Sequence, residues 1–280
     1  LAYFPFLFML IMISFGIDFF LLHILKIEWY HFRAITLKID DVIEKLFDKK
    51  KFILFAPDGI RLITYGYKEA KFLYFLIFYV YIRRAYERRL EKCASLPIVI
   101  FDVGAHMGVF TLKTAKRIHD RGLVVAVEPY PYNYGRLLEN IRLNGLDNVI
   151  VLNIALGEIN GIAPLWLPPP TEENTGIAST TFKISHRFIQ VPVKRLDGVM
   201  TELNIDAIDL LKIDAEGAEL AILKGLGGKL RKVKSIAIAA EHSPEEDKEI
   251  SEHLSRKGFD VRVESIGGFP YVYAEVYKSR

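Results

Sequence analysis

Ile98-Val99-Ile100-Phe101-Asp102-Val103-Gly104-Ala105-His106-Met107-Gly108 runs an apolar strand into a glycine turn, and a helically spaced segment, Phe110 to Ile118, follows. Strand, glycine turn and helix is how an α/β sheet presents backbone N–H groups and a helix N-terminus to a small ligand. Gly104 permits a tight backbone and close approach, and Gly108 lets the helix pack near the strand. The spacing is Asp-x-Gly-x-x-x-Gly, not the Gly-x-Gly-x-x-Gly that brings a pyrophosphate onto backbone amides. An acid before the first glycine repels a pyrophosphate but accepts a hydrogen bond from an ammonium or a hydroxyl. S-adenosylmethionine has both groups and no phosphate. A second acid, Glu128, ends the next apolar run, Val124 to Val127, where it suits a bidentate contact to ribose hydroxyls.

Outward from this turn the pattern is regular. The sequence predicts strand 98–103, helix 108–120, strand 123–128, helix 132–143 and strand 149–153, with Asn144-Gly145 as a left-handed helix stop. Such alternation implies parallel strands with right-handed crossovers. Residues 157–195 break it, with Pro168-Pro169-Pro170 and a polar run after it. They read as an insertion on the substrate side or a surface hairpin, with short strands at Thr180–Phe182 and Gln190–Val193. Regularity returns with strand 208–213, helix 217–226, strand 234–241 and helix 244–257. Phe259–Val263 and Tyr271–Val276, split by Gly267-Gly268, then form a hairpin. The fold class is therefore α/β: a Rossmann-like seven-stranded sheet, mostly parallel, closed by a C-terminal antiparallel hairpin, with helices on both faces.

The 280 residues suit one domain, 96–280, with an N-terminal α/β extension at 26–95, and 51% apolar content is ample for a core. Net charge of +3 does not call for nucleic acid. The lone Cys93 excludes an intramolecular disulfide and a cysteine-cluster zinc site. Leu1 to Leu25 carry one formal charge, Asp18, and about 20 apolar residues span a bilayer core. The stretch reads as a transmembrane or membrane-associated helix. Lys26, Arg33 and Lys38 after it place the remainder in the cytoplasm. A second apolar run, Phe72 to Ile82, is too short to span, and the charge run Arg83 to Arg89 after it reads as a solvated helix face.

From about residue 97 to 242 the chain resembles the FkbM family of S-adenosylmethionine-dependent methyltransferases. Four segments carry the likeness: Phe101 to Gly108; Val127-Glu128-Pro129-Tyr130 with Leu137 to Asn140 and Leu143-Asn144; Arg195-Leu196-Asp197; and Asp209 to Glu219 with Leu223-Lys224-Gly225. The most specific is Lys212-Ile213-Asp214-Ala215-Glu216-Gly217-Ala218-Glu219. The resemblance implies a class I fold and methyl transfer, commonly to a hydroxyl oxygen of a sugar or polyketide-like acceptor. His106 stands where that turn often has Asn.

An aliphatic hydroxyl is a poor nucleophile at neutral pH, so a base or metal near the sulfonium assists. Asp214 and Glu216 follow one strand and Glu241 and His242 end the next, so all four face one crevice beyond the strands' carboxyl ends. Asp214 is the leading base, with His242 as its alternative. Glu216 and Glu241 are expected to bind sugar hydroxyls or, with Asp214, a divalent cation. Asp102, Gly104, Ala105, His106 and Gly108 form the methionine pocket, with Asp102 receiving the ammonium directly or through water. Glu128 holds the ribose, and Asn153 and Ala155 lie near the adenine edge. Ribose methylation of RNA is one alternative, although Asp214-Ala215-Glu216-Gly217 repels phosphates. A non-catalytic membrane-anchored interaction protein on this scaffold is the other.

Overall fold

The computed structural model describes residues 50–86, 97–169, 174–243 and 245–276. The membrane helix read at Leu1–Leu25 lies outside them. Among the described residues no helix is long and apolar enough to cross a membrane.

The chain forms two compact units, Leu1–Leu76 and Ile77–Arg280. In the first, β1 (Lys51–Phe55) and β2 (Arg61–Tyr65) pair antiparallel across the Pro57-Asp58-Gly59 turn, and α1 (Tyr67–Ile77) follows. The Asp58 carboxylate accepts the Ile60 amide, which fixes the turn. The second unit begins at Ile77. Its first residues include a π-helical turn, Phe78–Arg83, and the buried pair Ala85 and Tyr86.

Seven strands make the main sheet: β3 (Ile98–Val103), β4 (Gly122–Val127), β5 (Val149–Leu152), β9 (Leu210–Ile213), β10 (Ser235–Ala239), β11 (Phe259–Ile266) and β12 (Phe269–Val276). Their spatial order is β11-β12-β10-β9-β3-β4-β5. Every pair from β5 to β10 is parallel, and β12 runs antiparallel to both its neighbours. β3 therefore has β4 on one side and β9 on the other, which is the switch point where such sheets open a crevice. Apolar runs form these strands because parallel strands are covered on both faces. Phe101, Val103, Val125, Val127, Leu211, Ile213, Ile236 and Ile238 alternate onto one face. There they pack with α4 (Leu196–Glu202), α5 (Glu219–Gly225) and α6 (Glu246–Arg256). α2 (Val109–Ile118) meets the other face, where Thr111 reaches Asp102 of β3. α3 (Pro131–Asn144) starts on Pro131, and Gly145 at φ +63° ends it.

The insertion departs from expectation. β6 (Ala155–Leu156), β7 (Gly161–Trp166) and β8 (Phe188–Lys194) form a separate three-stranded sheet in the order β6-β8-β7. Thr180–Phe182 is a bend instead of a strand. The Ser179 hydroxyl accepts the amides of Thr181 and Phe182, which turns the chain.

Candidate functional site

The crevice has two lips, one made by the turn after β3 and the other by the segment after β9. They touch through backbone. A Cβ built on Gly104, at φ +72°, would lie 1.7 Å from the Asp214 carbonyl oxygen, so only glycine fits there. The expected close approach at Gly104 is thus by the other lip. Gly108, at φ +95°, makes room for Leu137 of α3. His106 and Glu216 both hold left-handed backbone, at φ +51° and +52°. Asn, Asp and His tolerate that region better than most residues, which accounts for His106 at this point of the turn.

The turn does not offer the row of free amides expected of it. The amides of Gly104 and Ala105 both donate to the Val127 carbonyl, and the Gly108 amide donates to Ala105. The His106 amide donates to Glu128 at 2.8 Å. With these donors engaged, the turn is poorly equipped for a pyrophosphate, and it fits a cofactor that carries none.

Asp102 requires a correction. It is completely buried and takes the Thr111 hydroxyl at 2.5 Å and the Lys212 ammonium at 3.0 Å. A ligand ammonium has no direct access to it. Lys212 was quoted above only as part of a motif, yet it joins the two lips. Its Nζ also donates to the carbonyls of Gly104, at 2.7 Å, and Val103, at 3.2 Å, and stands 3.9 Å from Asp214. Burial works against its charge, but Asp102 and Asp214 outweigh burial and hold the ammonium above its usual pKa. The signal was in the sequence: Lys212 and Asp102 are the charged residues of two apolar runs that pair in register.

Glu128 sits at the end of β4, as expected. It accepts the amides of His106 and, at 2.9 Å, Tyr130, and Asn133 approaches at 3.5 Å. Burial raises its pKa to about 7 against these donors. Asn153 donates to the carbonyls of Glu128 and Pro129, so its side-chain amide nitrogen braces the Glu128 loop. Ala155 is paired with Val193 in the small sheet. The Asn153 amide nitrogen and the buried Ala155 side chain are thus both taken up within the protein. The insertion covers this region. Thr175 meets the His106 ring at 2.8 Å and takes Asn133 on its carbonyl. Burial and then Lys212 push the His106 pKa down to about 3, so its imidazole is neutral.

On the acceptor side the structure gathers Asp214, Glu216 and His242, whose potential ligating atoms lie within 4.8 Å of one another. Ser179 donates to the Glu216 carbonyl, and a Cβ on Gly217 would strike the Phe182 ring. The insertion thus brings an aromatic face, 37% exposed, beside the acids. Glu241 is exposed, and its pKa rises to about 7, through partial desolvation and then the Asp214 charge.

His242 is also corrected. Its Nε2 lies 3.3 Å from Glu216, and its Nδ1 lies 3.4 Å from Glu219 and 3.6 Å from Glu246. Burial opposes its charge, but these acids outweigh burial and raise its pKa to about 11. A protonated imidazole is no base at neutral pH; it is a strut that holds the Glu216 loop against α5 and α6. Its folded pKa lies above the ordinary 6.5, so its stabilisation is complete below pH 6.5 and is lost as pH rises toward 11. One linked proton gives a slope of up to about 1.4 kcal/mol per pH unit. Urea unfolding should therefore show stability falling between pH 7 and 9.5, and His242→Gln should flatten that fall. An unchanged slope in the variant would remove the strut role.

The chain matches the Methyltransferase FkbM domain family over residues 102–261. Methyltransferase sdnD of Sordaria araneosa is 30% identical, over 69% of this chain and 83% of that one. The Hexuronic acid methyltransferase AglP of Haloferax volcanii is 25% identical, over 63% of this chain and 69% of that one. A crystal structure of methyltransferase FkbM from Methylobacillus flagellatus shares the fold with a TM-score of 0.50 at 16% identity, over 88% of this chain and 60% of that one.

Proposed function

The chain belongs to the FkbM family of methyltransferases, and on that premise we propose that it methylates a hydroxyl oxygen of a sugar, glycan or related small-molecule acceptor. S-adenosylmethionine is the cofactor, and it supplies a methyl group activated on a sulfonium. The observation that carries the hydroxyl reading is the acceptor wall: the partly exposed Asp214 carboxylate beside Glu216, Glu241 and the Phe182 ring. Carboxylates accept hydroxyl hydrogens, and an aromatic face accepts the C–H face of a sugar. The similarity to a hexuronic acid methyltransferase supports a sugar-like oxygen acceptor, which in a sugar acid is either a hydroxyl or the carboxylate. RNA meets an acidic wall here, which disfavours ribose methylation.

Each residue has a task in this reading. Asp214 accepts the hydroxyl proton. Glu216, steadied by His242, and Glu241 bind neighbouring hydroxyls. Asp214 and Glu216, which stand within ligating reach of one another, would hold a divalent cation if the reaction uses one. Gly104, Ala105, His106 and Gly108 shape the methionine pocket, and Lys212 holds Asp102 beneath it. The anchor read at Leu1–Leu25 would keep the enzyme at a membrane, with the catalytic unit in the cytoplasm.

Glu128 is proposed to hold the ribose, because its Oε2 keeps a second lone pair beyond the His106 amide, while Oε1 takes Tyr130 and Asn133. A hydrogen bond to a charged group contributes about 1.5–3 kcal/mol. Glu128→Ala should then weaken S-adenosylmethionine binding by roughly 10- to 100-fold in calorimetry. Equal affinity in the variant would sink the ribose assignment.

A further inference from the structure

We infer that Tyr86 positions the Asp214 carboxylate for proton removal, a role that rests on the methyl-transfer reading above. Tyr86 stands 128 residues before Asp214 and outside the α/β alternation, yet its hydroxyl donates to Asp214 Oδ2 at 2.9 Å. The residue is only 8% exposed. Phe110 and Tyr271 meet its ring edge-on, each with centroids 5.6 Å away, and Tyr273 donates to the carbonyl of Ala85 next to it. The phenol is therefore held from several sides and aims at one carboxylate oxygen.

Asp214 has a competing partner. Lys212 Nζ lies 3.9 Å from the same oxygen, Oδ2, and 5.3 Å from the Tyr86 ring centroid. A full ion pair with Lys212 would draw the carboxylate toward the sheet and weaken it as a base. The Tyr86 hydroxyl holds Oδ2 short of that pair and leaves Oδ1 for an acceptor hydroxyl. Burial and then the Asp214 charge keep the Tyr86 proton in place, so the phenol is the donor and Asp214 the acceptor.

Tyr86→Phe removes the hydroxyl and keeps the ring packed against Phe110 and Tyr271. Measured on the full chain, kcat should fall about 10- to 100-fold, as expected for a hydrogen bond to a charged group. The KM values for S-adenosylmethionine and acceptor should stay within about twofold, because the hydroxyl is spent on Asp214 Oδ2. In an Asp214→Asn background the same substitution should change kcat by less than about twofold, since the proton-accepting carboxylate that the hydroxyl positions is already gone. Equal losses in both backgrounds, a rise in KM alone, or an unchanged kcat would each overturn the positioning role. Should Tyr86→Phe fold poorly, 3-fluorotyrosine at position 86 keeps ring and donor and is expected to retain turnover; loss of turnover in that folded protein would likewise overturn it. Near-normal turnover of Asp214→Asn alone would remove Asp214 as the base and with it the role of Tyr86, whereas no methyl transfer by the unsubstituted protein would remove the reading on which this rests, so the two failures are distinguishable.

Discussion

Lys212→Met should lower the unfolding free energy by about 3–5 kcal/mol, the loss seen when one partner of a buried ion pair is removed. Both partners are out of water: side-chain exposure is 4% for Lys212 and zero for Asp102. Without the ammonium, Asp102 is left with the Thr111 hydroxyl, and the carbonyls of Val103 and Gly104 lose their donor. The loss reaches function as well, because the same ammonium joins the cofactor turn to the Asp214 lip. S-adenosylmethionine affinity should fall with stability. Adding Asp102→Asn removes the stranded charge and keeps a partner for Thr111, so the double variant should regain at least half of the lost stability. Chemical denaturation of the two variants tests this. A loss below about 1 kcal/mol for the single variant would show that water reaches the pair.

Asp214→Asn should lower kcat by about 10²- to 10⁴-fold, the range for a positioned general base. The amide keeps the shape and accepts the Tyr86 hydrogen bond on its oxygen, so the wall stays intact while the proton acceptor is lost. Cofactor affinity should stay within a few-fold, because the contact between this residue and the turn is made by its backbone, through the amide to Val103 and the carbonyl beside Gly104. Single-turnover kinetics with saturating S-adenosylmethionine separates these effects. Turnover near that of the unsubstituted protein would assign the proton to another group, with Glu241, near pKa 7, the next in line.

The main sheet was legible because its central strands are buried on both faces and so read as unbroken apolar runs. The turn at Gly104 and the stop at Gly145 were legible because left-handed backbone leaves a glycine in the sequence. β7 escaped because it crosses Pro164 and has an exposed first half, so neither an apolar run nor a clean alternation marks it. α4 is only seven residues long and carries Gly198, which hides its periodicity. At the site, the reading found which acids face the crevice but not what each one meets. Asp102 looked available because a strand-end acid usually is; its partner lies 110 residues later, on β9. Tyr86 left no local signal, since its importance comes from a contact across 128 residues. His242 was read as a base from its ordinary pKa. Three acids folded around it change that value.

The central claim is methylation of a hydroxyl with Asp214 taking the proton. It is tested most directly by supplying methyl-labelled S-adenosylmethionine to the purified chain with uronic-acid glycans and lipid-linked sugars from the native cell, then locating the label by NMR. The account predicts a methyl ether that forms with the unsubstituted protein and not with Asp214→Asn. A methyl ester would contradict it, because a carboxylate is already a nucleophile and needs no base. Label on nitrogen or carbon, or an ether formed equally by Asp214→Asn, would contradict it as well.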